Sequence, residues 1–348
     1  MHCLNKMFSH SLIARARIIT APVFLLIAFT TACSNSALEP TSHITVAKGG
    51  IYAGAIDEQG KFAVVGSIHH GVSYWRLSDN ERLYDWQHTQ GTDTALAAAD
   101  FSPEGAWALT ADKNTLALWN TSTGEGLRYW QAPGEILSVQ LSKAGERALL
   151  GLKDHTAVLF DVKRGGILRT LRHNSPVRSV ALDTAGDLAA TGSEDRTAVS
   201  WDLQNDKRLS TIRHNEEVQL VAMSADGELV LSVSKYDKAI VWNSRDGIIV
   251  TEMPLRAGRL KRGLRFTSAR FSNDKQLLLT GQTDQTITLW RMDDLNNSIS
   301  WKVGTRRLWK PHAATILDVA FSEKTGEFFA LASNGLLYRL QLPNVEQK

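Results

Sequence analysis

Cysteine is nearly absent from this sequence of 348 residues, which contains only Cys3 and Cys33. Both lie near the start, so no disulfide can cross-link the remainder of the chain. If the chain is cleaved just before Cys33, a single cysteine remains and an intrachain disulfide is impossible. A chain of this length is large enough to be held together by the packing of a hydrophobic core alone.

The sequence also lacks a long hydrophobic run. Its most apolar stretch, Ile18–Phe29, extends for about 12 residues, whereas a membrane-spanning helix needs roughly 20. Lys6, Arg15 and Arg17 precede this stretch, and small residues follow it. A basic start, a short apolar centre and a small-residue exit predict a secretory signal peptide over Met1–Ala32.

The end of this segment resembles the bacterial lipobox, in which a cysteine after small residues becomes the lipidated first residue. Cys33 holds that position, although Thr30 stands where the pattern prefers leucine. The resemblance implies lipidation of Cys33 and a flexible tether over 33–42. Ser34, being a residue other than aspartate, implies sorting to an outer membrane, facing the periplasm. The alternative is a plain signal peptide that is cut nearby and leaves Cys33 as an unused thiol.

Net charge is missing as well once the predicted signal peptide is removed. The chain has 39 basic and 36 acidic residues, and Met1–Ala32 contains three of the basic ones and none of the acidic ones. The remaining chain therefore has 36 of each. A neutral, exported domain lacks the broad positive field that drives binding to nucleic acids, so we expect no nucleic-acid partner.

The body of the chain shows the alternation of short β-strands. In the stretch from His173 to Asp202, apolar residues alternate or cluster over Val177–Leu182, Leu188–Gly192 and Thr197–Trp201, with turn residues between these runs. Arg208–Arg213 continues the pattern as a fourth strand. A single sheet of this size cannot bury both of its faces, so one copy does not make a domain.

The same pattern occurs seven times. The last large residues of successive third strands are separated by 44, 41, 41, 41, 48 and 50 residues; they are Trp75, Trp119, Phe160, Trp201, Trp242, Trp290 and Leu340. Repeats of this length with four strands each are typical of propeller blades. We therefore predict an all-β chain with a seven-bladed β-propeller of four-stranded antiparallel blades over 43–343, and a polar tail over 344–348.

The last repeat has only three strands before the chain nearly ends. The short alternating run His43–Ala47, which precedes the first repeat, is available to supply the missing strand. We predict that it does so, because the pairing of both chain ends closes the ring and leaves no free sheet edge between the first and last blades.

The seven repeats resemble those of the WD-repeat family, whose blades combine a histidine, an S-P-D-G-like turn, S-x-D and a final Trp-Asp. The resemblance covers about Ser42–Pro343. It implies a buried structural tetrad of His173, Ser193, Asp195 and Trp201, in which the aspartate orients the histidine and the serine links to the tryptophan. A catalytic Ser-His-Asp arrangement is the alternative, but the sequence has no G-x-S-x-G elbow to support it.

The sequence offers no pattern for a cofactor or a metal. It has neither a phosphate-binding P-loop nor a dinucleotide-binding glycine motif. His69 and His70 are adjacent, without a third ligand nearby in sequence, and Asp293-Asp294 lacks a calcium-loop spacing. We therefore expect no cofactor and no metal.

Blade 6 departs from the other repeats. The connection Arg256–Arg265 contains five cations in ten residues, and we expect Asp293–Gly304 to be an inserted loop that carries Trp301. Loops on a repeat scaffold often carry its binding function. We predict an acidic partner here, although solvated charge and a tolerated insertion would explain the same residues; the candidate residues are Arg256, Arg259, Lys261, Arg262, Arg265 and Trp301.

These observations favour a non-enzymatic binding platform for envelope proteins, because WD-repeat proteins are mostly scaffolds. The alternatives are a hydrolase or lyase with its site in the central channel, and a sensor of a small ligand. A cluster of carboxylates or histidines on the innermost strands would favour the enzyme, and four of the first strands offer mostly small, hydroxyl or aliphatic residues.

Overall fold

A computed structural model describes residues 37–67, 70–89, 91, 93–253, 265–304 and 314–343. These residues belong to a compact unit that begins at Ala37. They form seven four-stranded antiparallel sheets and one short 3-10 turn at Lys143–Gly145. The predicted seven-bladed propeller of four-stranded blades is confirmed.

The strands follow one another regularly along the chain, and their bounds are as follows. The chain begins with β1 (Ser42–Thr45), and blade 1 follows with β2 (Ile51–Ile56), β3 (Phe62–Ser67), β4 (Gly71–Arg76) and β5 (Glu81–Trp86). Blade 2 contains β6 (Ala98–Phe101), β7 (Trp107–Ala111), β8 (Thr115–Asn120) and β9 (Gly126–Gln131). Blade 3 contains β10 (Ile136–Leu141), β11 (Arg147–Leu152), β12 (Thr156–Asp161) and β13 (Ile167–Arg172).

The remaining blades repeat this order. Blade 4 contains β14 (Val177–Leu182), β15 (Leu188–Ser193), β16 (Thr197–Asp202) and β17 (Lys207–Arg213). Blade 5 contains β18 (Val218–Met223), β19 (Leu229–Ser234), β20 (Ala239–Asn243) and β21 (Ile249–Met253). Blade 6 contains β22 (Phe266–Phe271), β23 (Leu277–Gln282), β24 (Thr286–Arg291) and β25 (Ile299–Lys302), and blade 7 contains β26 (Ile316–Phe321), β27 (Glu327–Ala332) and β28 (Leu336–Gln341).

The first strand of each blade lies at the centre of the ring. Consecutive first strands contact one another from β2 round to β26, and β26 contacts β2 again. They surround a central channel. Because all seven first strands run in the same direction, the turns between first and second strands all lie on one face of the ring, which we call the turn face.

The two ends of the chain meet in blade 7. Strand β1 pairs antiparallel with β28, from Ser42 opposite Arg339 to Thr45 opposite Leu336, and so becomes the fourth strand of that sheet. The predicted closure of the ring is confirmed. Strand β1 begins one residue before the start of the predicted run His43–Ala47 and ends two residues before the end of that run.

Ring closure leads to a prediction on two neighbouring residues. Val46 is buried in the cluster between blades 7 and 1, whereas Thr45 beside it is exposed. An aspartate at position 46 would place an unpaired charge in that cluster, so we expect Val46→Asp to lower the free energy of unfolding by about 3 kcal/mol. Thr45→Asp should change it by less than about 0.5 kcal/mol. Equal losses for the two variants in urea denaturation would show that this segment does not close the ring by burial.

The described part of the predicted flexible tether is held against blade 6. Leu38 forms an isolated parallel bridge with Trp301, its N–H donates to the carbonyl of Ser300 over 2.7 Å, and its carbonyl accepts from the N–H of Lys302 over 2.9 Å. Leu38 also packs against the buried cluster of blades 6 and 7. The expectation of flexibility is therefore wrong for 37–42, because the half-buried Leu38 and the pairing of β1 with β28 hold this segment on the ring.

The core consists of seven buried apolar clusters, one between each pair of successive blades. Small residues in the second strands allow the next blade to approach closely. At Gly192, for example, a Cβ would lie 2.7 Å from Cγ1 of Val218 in the first strand of blade 5. Packing between blades therefore holds the fold, as the shortage of cysteine requires.

No helix within the described residues is long and apolar enough to cross a membrane.

Candidate functional site

The predicted tetrad of blade 4 lies between the inner and outer strands and is buried. Nδ1 of His173 lies 3.1 Å from Oδ2 of Asp195, and Nε2 lies 2.8 Å from Oγ1 of Thr191. The indole N–H of Trp201 donates to the same threonine oxygen over 2.8 Å. Thr191 thus joins the histidine to the tryptophan.

The serine has a different role from the one that the resemblance implied. The Ser193 hydroxyl donates to the carbonyl of Ser175 over 3.0 Å and accepts the N–H of Asp195 over 3.1 Å. It therefore fixes the turn that carries the aspartate. The expectation that Ser193 links to Trp201 is wrong, because in antiparallel register Thr191 is two residues closer to the tryptophan along the second strand.

The geometry does not support a catalytic Ser-His-Asp arrangement at these residues. Ser193 donates to a carbonyl and not to His173, and the His173 side chain is 1% exposed. Burial lowers the pKa of His173, and Asp195 only partly opposes this effect. Burial also raises the pKa of Asp195, but hydrogen bonds from Thr197 and the Asn174 N–H outweigh it and hold the pKa below its usual value. The hydrogen-bonded side chains of blade 4 therefore have a structural role in the interior of the blade.

Blade 2 contains a second set of this kind, which the sequence analysis missed. Nε2 of His88 lies 2.8 Å from Oγ1 of Thr110, which accepts the indole N–H of Trp119 over 2.7 Å. Nδ1 of His88 lies 2.7 Å from Oγ1 of Thr115 and 3.7 Å from Oδ2 of Asp112. This histidine is not evident from the sequence because 31 residues separate it from its tryptophan, against 28 in blades 4 and 5.

A hydroxyl in the second strand also bonds the tryptophan in two further blades. In blade 5, Ser232 lies 2.9 Å from Nε2 of His214 and accepts the indole N–H of Trp242 over 3.1 Å. In blade 6, Thr280 accepts the indole N–H of Trp290 over 2.9 Å. A threonine or serine nine or ten residues before the blade tryptophan is the sequence signal that would have identified these links.

The shared hydroxyl of blade 4 can be tested directly. Thr191→Val keeps the shape but removes the oxygen that serves both His173 and Trp201, so two buried polar groups lose a partner. We expect the free energy of unfolding to fall by about 2 kcal/mol. The NMR signal of the Trp201 indole N–H should shift with it. Ser193→Ala should leave that signal in place, and a shift caused by Ser193→Ala alone would restore the implied serine link.

Most of the predicted partner-binding segment lies outside the described residues, including Arg256, Arg259, Lys261 and Arg262. Its last residue, Arg265, is half-buried, and its guanidinium lies 5.9 Å from the ring centre of Tyr236 in blade 5. Tyr236 is 59% exposed, and the Lys235 ammonium lies 5.8 Å from the same ring. At the described end of the segment, two cations, Lys235 and Arg265, therefore lie beside the exposed ring of Tyr236.

Trp301 is placed differently from the prediction. It belongs to the outer strand β25 and not to an inserted loop, its side chain is fully buried, and its indole N–H donates to the carbonyl of Gln341 in blade 7. In register it matches Trp86 and Trp130, which likewise donate to the carbonyls of the next blade. The expectation that Trp301 contacts a partner is therefore wrong, because this residue fills the space between two blades.

The central channel contains a cluster of charged residues that the sequence analysis did not single out. We call Asp57, Glu58, Asp100, Arg270 and Asp318 the channel cluster. Arg270, in the first strand of blade 6, donates to the carbonyls of Ile56 and Asp57 in blade 1, each over 3.0 Å. It also lies 3.3 Å from Oδ2 of Asp318 in blade 7, so one side chain ties three blades together.

The carboxylates of the channel cluster also bond to the backbone. Asp318 accepts the N–H of Ile56 over 2.8 Å, and Asp100 accepts the N–H of Leu141 over 2.7 Å. Asp57 accepts the N–H groups of Lys61 and Phe62 in its own turn. Each of the first two bonds reaches from one blade to the next and therefore helps to set the spacing of the inner strands.

The channel cluster has unusual protonation behaviour. Burial raises the pKa of Asp100 to about 7, although the Leu141 N–H and the charge of Arg270 oppose this rise. Burial also raises the pKa of Asp318 and Asp57. The pKa of Glu58 is raised as well, because the surrounding channel wall partly desolvates its carboxyl group. Groups with such shifted pKa values are frequent at functional sites. Asp100 and Arg270 were not singled out from the sequence because the four first strands considered for chemistry did not include β6 and β22.

Within the described ranges, no group of three or more His, Cys, Asp or Glu side chains is arranged to hold a metal ion.

Comparisons with known proteins agree with this geometry. The family model "WD domain, G-beta repeat" matches residues 165–202 and 263–291, and the first match contains the whole blade 4 tetrad. A similar protein is eukaryotic translation initiation factor 3 subunit I from Coccidioides immitis (strain RS), which is 34% identical over 94 residues. That alignment covers 25% of this chain and 27% of the relative, so the chain spans about a quarter of the length of the protein that it matches.

Proposed function

We propose that this protein is a non-enzymatic platform that binds other proteins through the two faces of a closed seven-bladed ring. WD40 propellers are generally scaffolds for protein interactions, and two segments of this chain match the model of that repeat. The observation that carries the proposal is that the catalytic-looking residues of blades 2 and 4 are bonded to one another and buried. They stiffen the blades and leave the loops of both faces to meet partners.

Two groups of loops in this chain differ in charge, so they suit different partners. The turns between first and second strands contain four basic residues against ten acidic ones, which are Asp57, Glu58, Glu104, Glu146, Asp183, Asp187, Asp226, Glu228, Asp274 and Glu323. The described strands that flank 254–264 and 305–313 end at the opposite face. The sequence of these two connections contains seven basic residues and no acidic ones. Charge of one sign on a face favours a partner of the other sign.

Affinity purification tests the basic segment as the docking site for an acidic partner. The native chain and a variant with Arg259, Lys261 and Arg262 changed to glutamate would be recovered from solubilised envelopes. We expect a discrete protein to co-purify with the native chain, to be lost from the variant and to dissociate as salt rises. The control reverses Lys143, Lys163 and Lys324, which are exposed on the turn face. Equal recovery with both variants would reject the docking site, and no partner with the native chain would reject the platform.

The proposal includes export and a lipid anchor at Cys33, facing the periplasm from the outer membrane. The pattern of Met1–Ser34 supports it. Cys33→Ser should move the protein from the membrane fraction to the soluble periplasmic fraction, and the first peptide of the native protein should carry the mass of lipid. A native protein that is soluble and unmodified would contradict the anchor while leaving the platform untested by this experiment and open to the purification above.

A second candidate function is a site for a small ligand or substrate in the central channel. The channel cluster favours it, because the inner strands carry more charge than the sequence analysis expected. A channel enzyme that uses the channel cluster would rely on Asp100, Arg270 or Asp318. Unchanged turnover in each of Asp100→Asn, Arg270→Met and Asp318→Asn, once a substrate is known, would argue against catalysis by these residues.

A further inference from the structure

The central channel widens into a cavity among the turns of the turn face. Its volume is about 590 Å³, within the range of roughly 300–1,000 Å³ that is usual for ligand sites. The walls are mostly small or apolar side chains of the inner strands, such as Ala99, Val139 and Val180. Glu58, Asp100, Arg270 and Asp318 supply charge to the same walls. A side chain or a small molecule fits this space, and a folded domain does not.

The charge of the cavity is unbalanced. Arg270 is the single lysine or arginine among the lining residues, which include five carboxyl groups: Glu58, Asp100, Asp183, Asp274 and Asp318. Three of its N–H groups donate to two backbone carbonyls and to Asp318. Glu58 is exposed at the mouth, and its carboxylate has no hydrogen bond within the described ranges. Asp100 uses one oxygen for the Leu141 N–H. Acceptor oxygens therefore remain available at the mouth.

A buried hydroxyl in the cavity wall lacks a partner. Ser138 and Ser179 each accept a backbone N–H from the next blade, from Val180 and Val221 respectively. Ser268 holds the matching place in blade 6 but makes no such bond, because Asp318 bonds the N–H of Val319 instead. Ser268 is 5% exposed and lines the cavity, and its hydroxyl has no hydrogen-bond partner among the described residues.

The surroundings of the mouth strengthen the attraction for a cation. Ten acidic residues and four lysines lie in the seven turns that ring it. Two of the lysines are already paired, Lys61 with Glu323 and Lys275 with both Asp226 and Glu228. A cleft lined by charge of one sign concentrates ligands of the other sign at its entrance.

We propose that the mouth of the channel binds an organic cation, a guanidinium or a primary ammonium group, between Glu58 and Asp100. Such a group supplies several N–H donors to carboxylates that have oxygens to spare. The small apolar walls accommodate the aliphatic stem of the ligand. The cation belongs either to a basic side chain on an extended segment of a partner or to a free small molecule. The proposal concerns the turn face and uses no residue of the basic segment, so it does not depend on that docking site.

Calorimetric titration of the purified full chain tests this site. The probes are agmatine, as a free small cation, and a Gly-Arg-Gly peptide with blocked ends. We expect the native chain to bind, and the double variant E58Q/D100N to bind at least about tenfold more weakly, because two charge-assisted contacts are lost. Binding of the peptide alone would identify a partner side chain as the ligand, and equal binding of agmatine would show that a free cation suffices.

The matched control is E125Q/D206N, which removes two exposed carboxylates from the outer rim of the same face. Its affinity should stay within about twofold of the native value, because these carboxylates lie in turns between third and fourth strands and do not line the cavity. If both double variants bound the cation equally weakly, the loss of affinity would come from the overall negative charge of the face. That result would overturn the proposed site. Absence of binding by the native chain would overturn it as well, and would leave partner recovery through the basic segment unaffected.

The pH dependence gives an independent readout. Asp100 faces Arg270 and Asp318, and Glu58 faces Arg270, Asp57 and Glu104. Because Asp100 takes up a proton near pH 7, the affinity of the native chain for the cation should fall about tenfold from pH 8 to pH 6. The single variant Asp100→Asn should lose most of this dependence. An identical pH profile in the two proteins would remove Asp100 from the site.

Discussion

Arg270→Met is expected to lower the free energy of unfolding by about 3 kcal/mol. The arginine bonds the carbonyls of Ile56 and Asp57 and pairs with Asp318, and both members of this pair are largely buried, at 22% and 17% exposure. Methionine keeps an unbranched, flexible side chain but removes the cation beside the buried Asp318 carboxylate and the donor to two carbonyls. Removing one partner of a buried pair is costly because the other charge stays behind. Urea denaturation of the two proteins measures the loss.

The same substitution elsewhere in blade 6 provides the control. Arg291 pairs with Asp293 at the surface, where the two side chains are 54% and 55% exposed. Exposed pairs contribute little, so Arg291→Met should cost no more than about 0.5 kcal/mol. If the two variants lost the same free energy, Arg270 would not be the tie between blades 6, 7 and 1 that the structure describes.

Asp100→Asn is expected to make the protein more stable at pH 8 and to change it much less at pH 5. In the folded protein the pKa of Asp100 is about 7, against an ordinary value of 3.8. The folded state therefore holds the proton more tightly, and the contribution of this group to stability is lost as pH rises from about 4 to about 7. Asparagine can still accept the Leu141 N–H and carries no charge. The advantage of the variant should grow by about 2 kcal/mol between pH 5 and pH 8, after allowance for partial exposure.

Asp226→Asn is the matched control for this pH series. Hydrogen bonds from Lys275 and Ser224 outweigh the effect of burial and lower the pKa of Asp226 to about 2, so it stays ionised throughout the range. Its contribution to stability is lost only as pH falls through about 4 toward 2. The effect of this substitution should therefore be the same at pH 5 and pH 8. A pH-independent effect of Asp100→Asn would contradict the raised pKa of Asp100.

The fold could be predicted from the sequence because its information is local and repeated. Strand β14 has the predicted bounds, and β15 and β16 each extend one residue beyond the predicted end, since apolar runs and turn residues are both clear there. The partner of β28 also followed from counting, because a ring with a three-stranded blade needs one more strand. The spacing of seven similar residues then gave the number of blades.

The site was harder to predict because its contacts join distant parts of the chain. Thr191 and Thr110 became visible as shared acceptors only when the register of the strands was known. Trp301 was assigned to a loop because the insertion before it hid the outer strand. Asp100, Arg270 and Asp318 are separated by up to 218 residues in sequence, and only closure of the ring brings them to one channel. No local pattern carries that information.

The measurement that tests the platform most directly is lysine crosslinking in cells, followed by purification of this chain and mass spectrometry. We expect crosslinks from lysines in the turns of the two faces, such as Lys143 and Lys324 on one and Lys113 and Lys153 on the other, to one or a few envelope proteins. These links should recur at the same positions. Abundant crosslinks within the chain without any to another protein would contradict the platform, and would direct attention to the ligand of the channel.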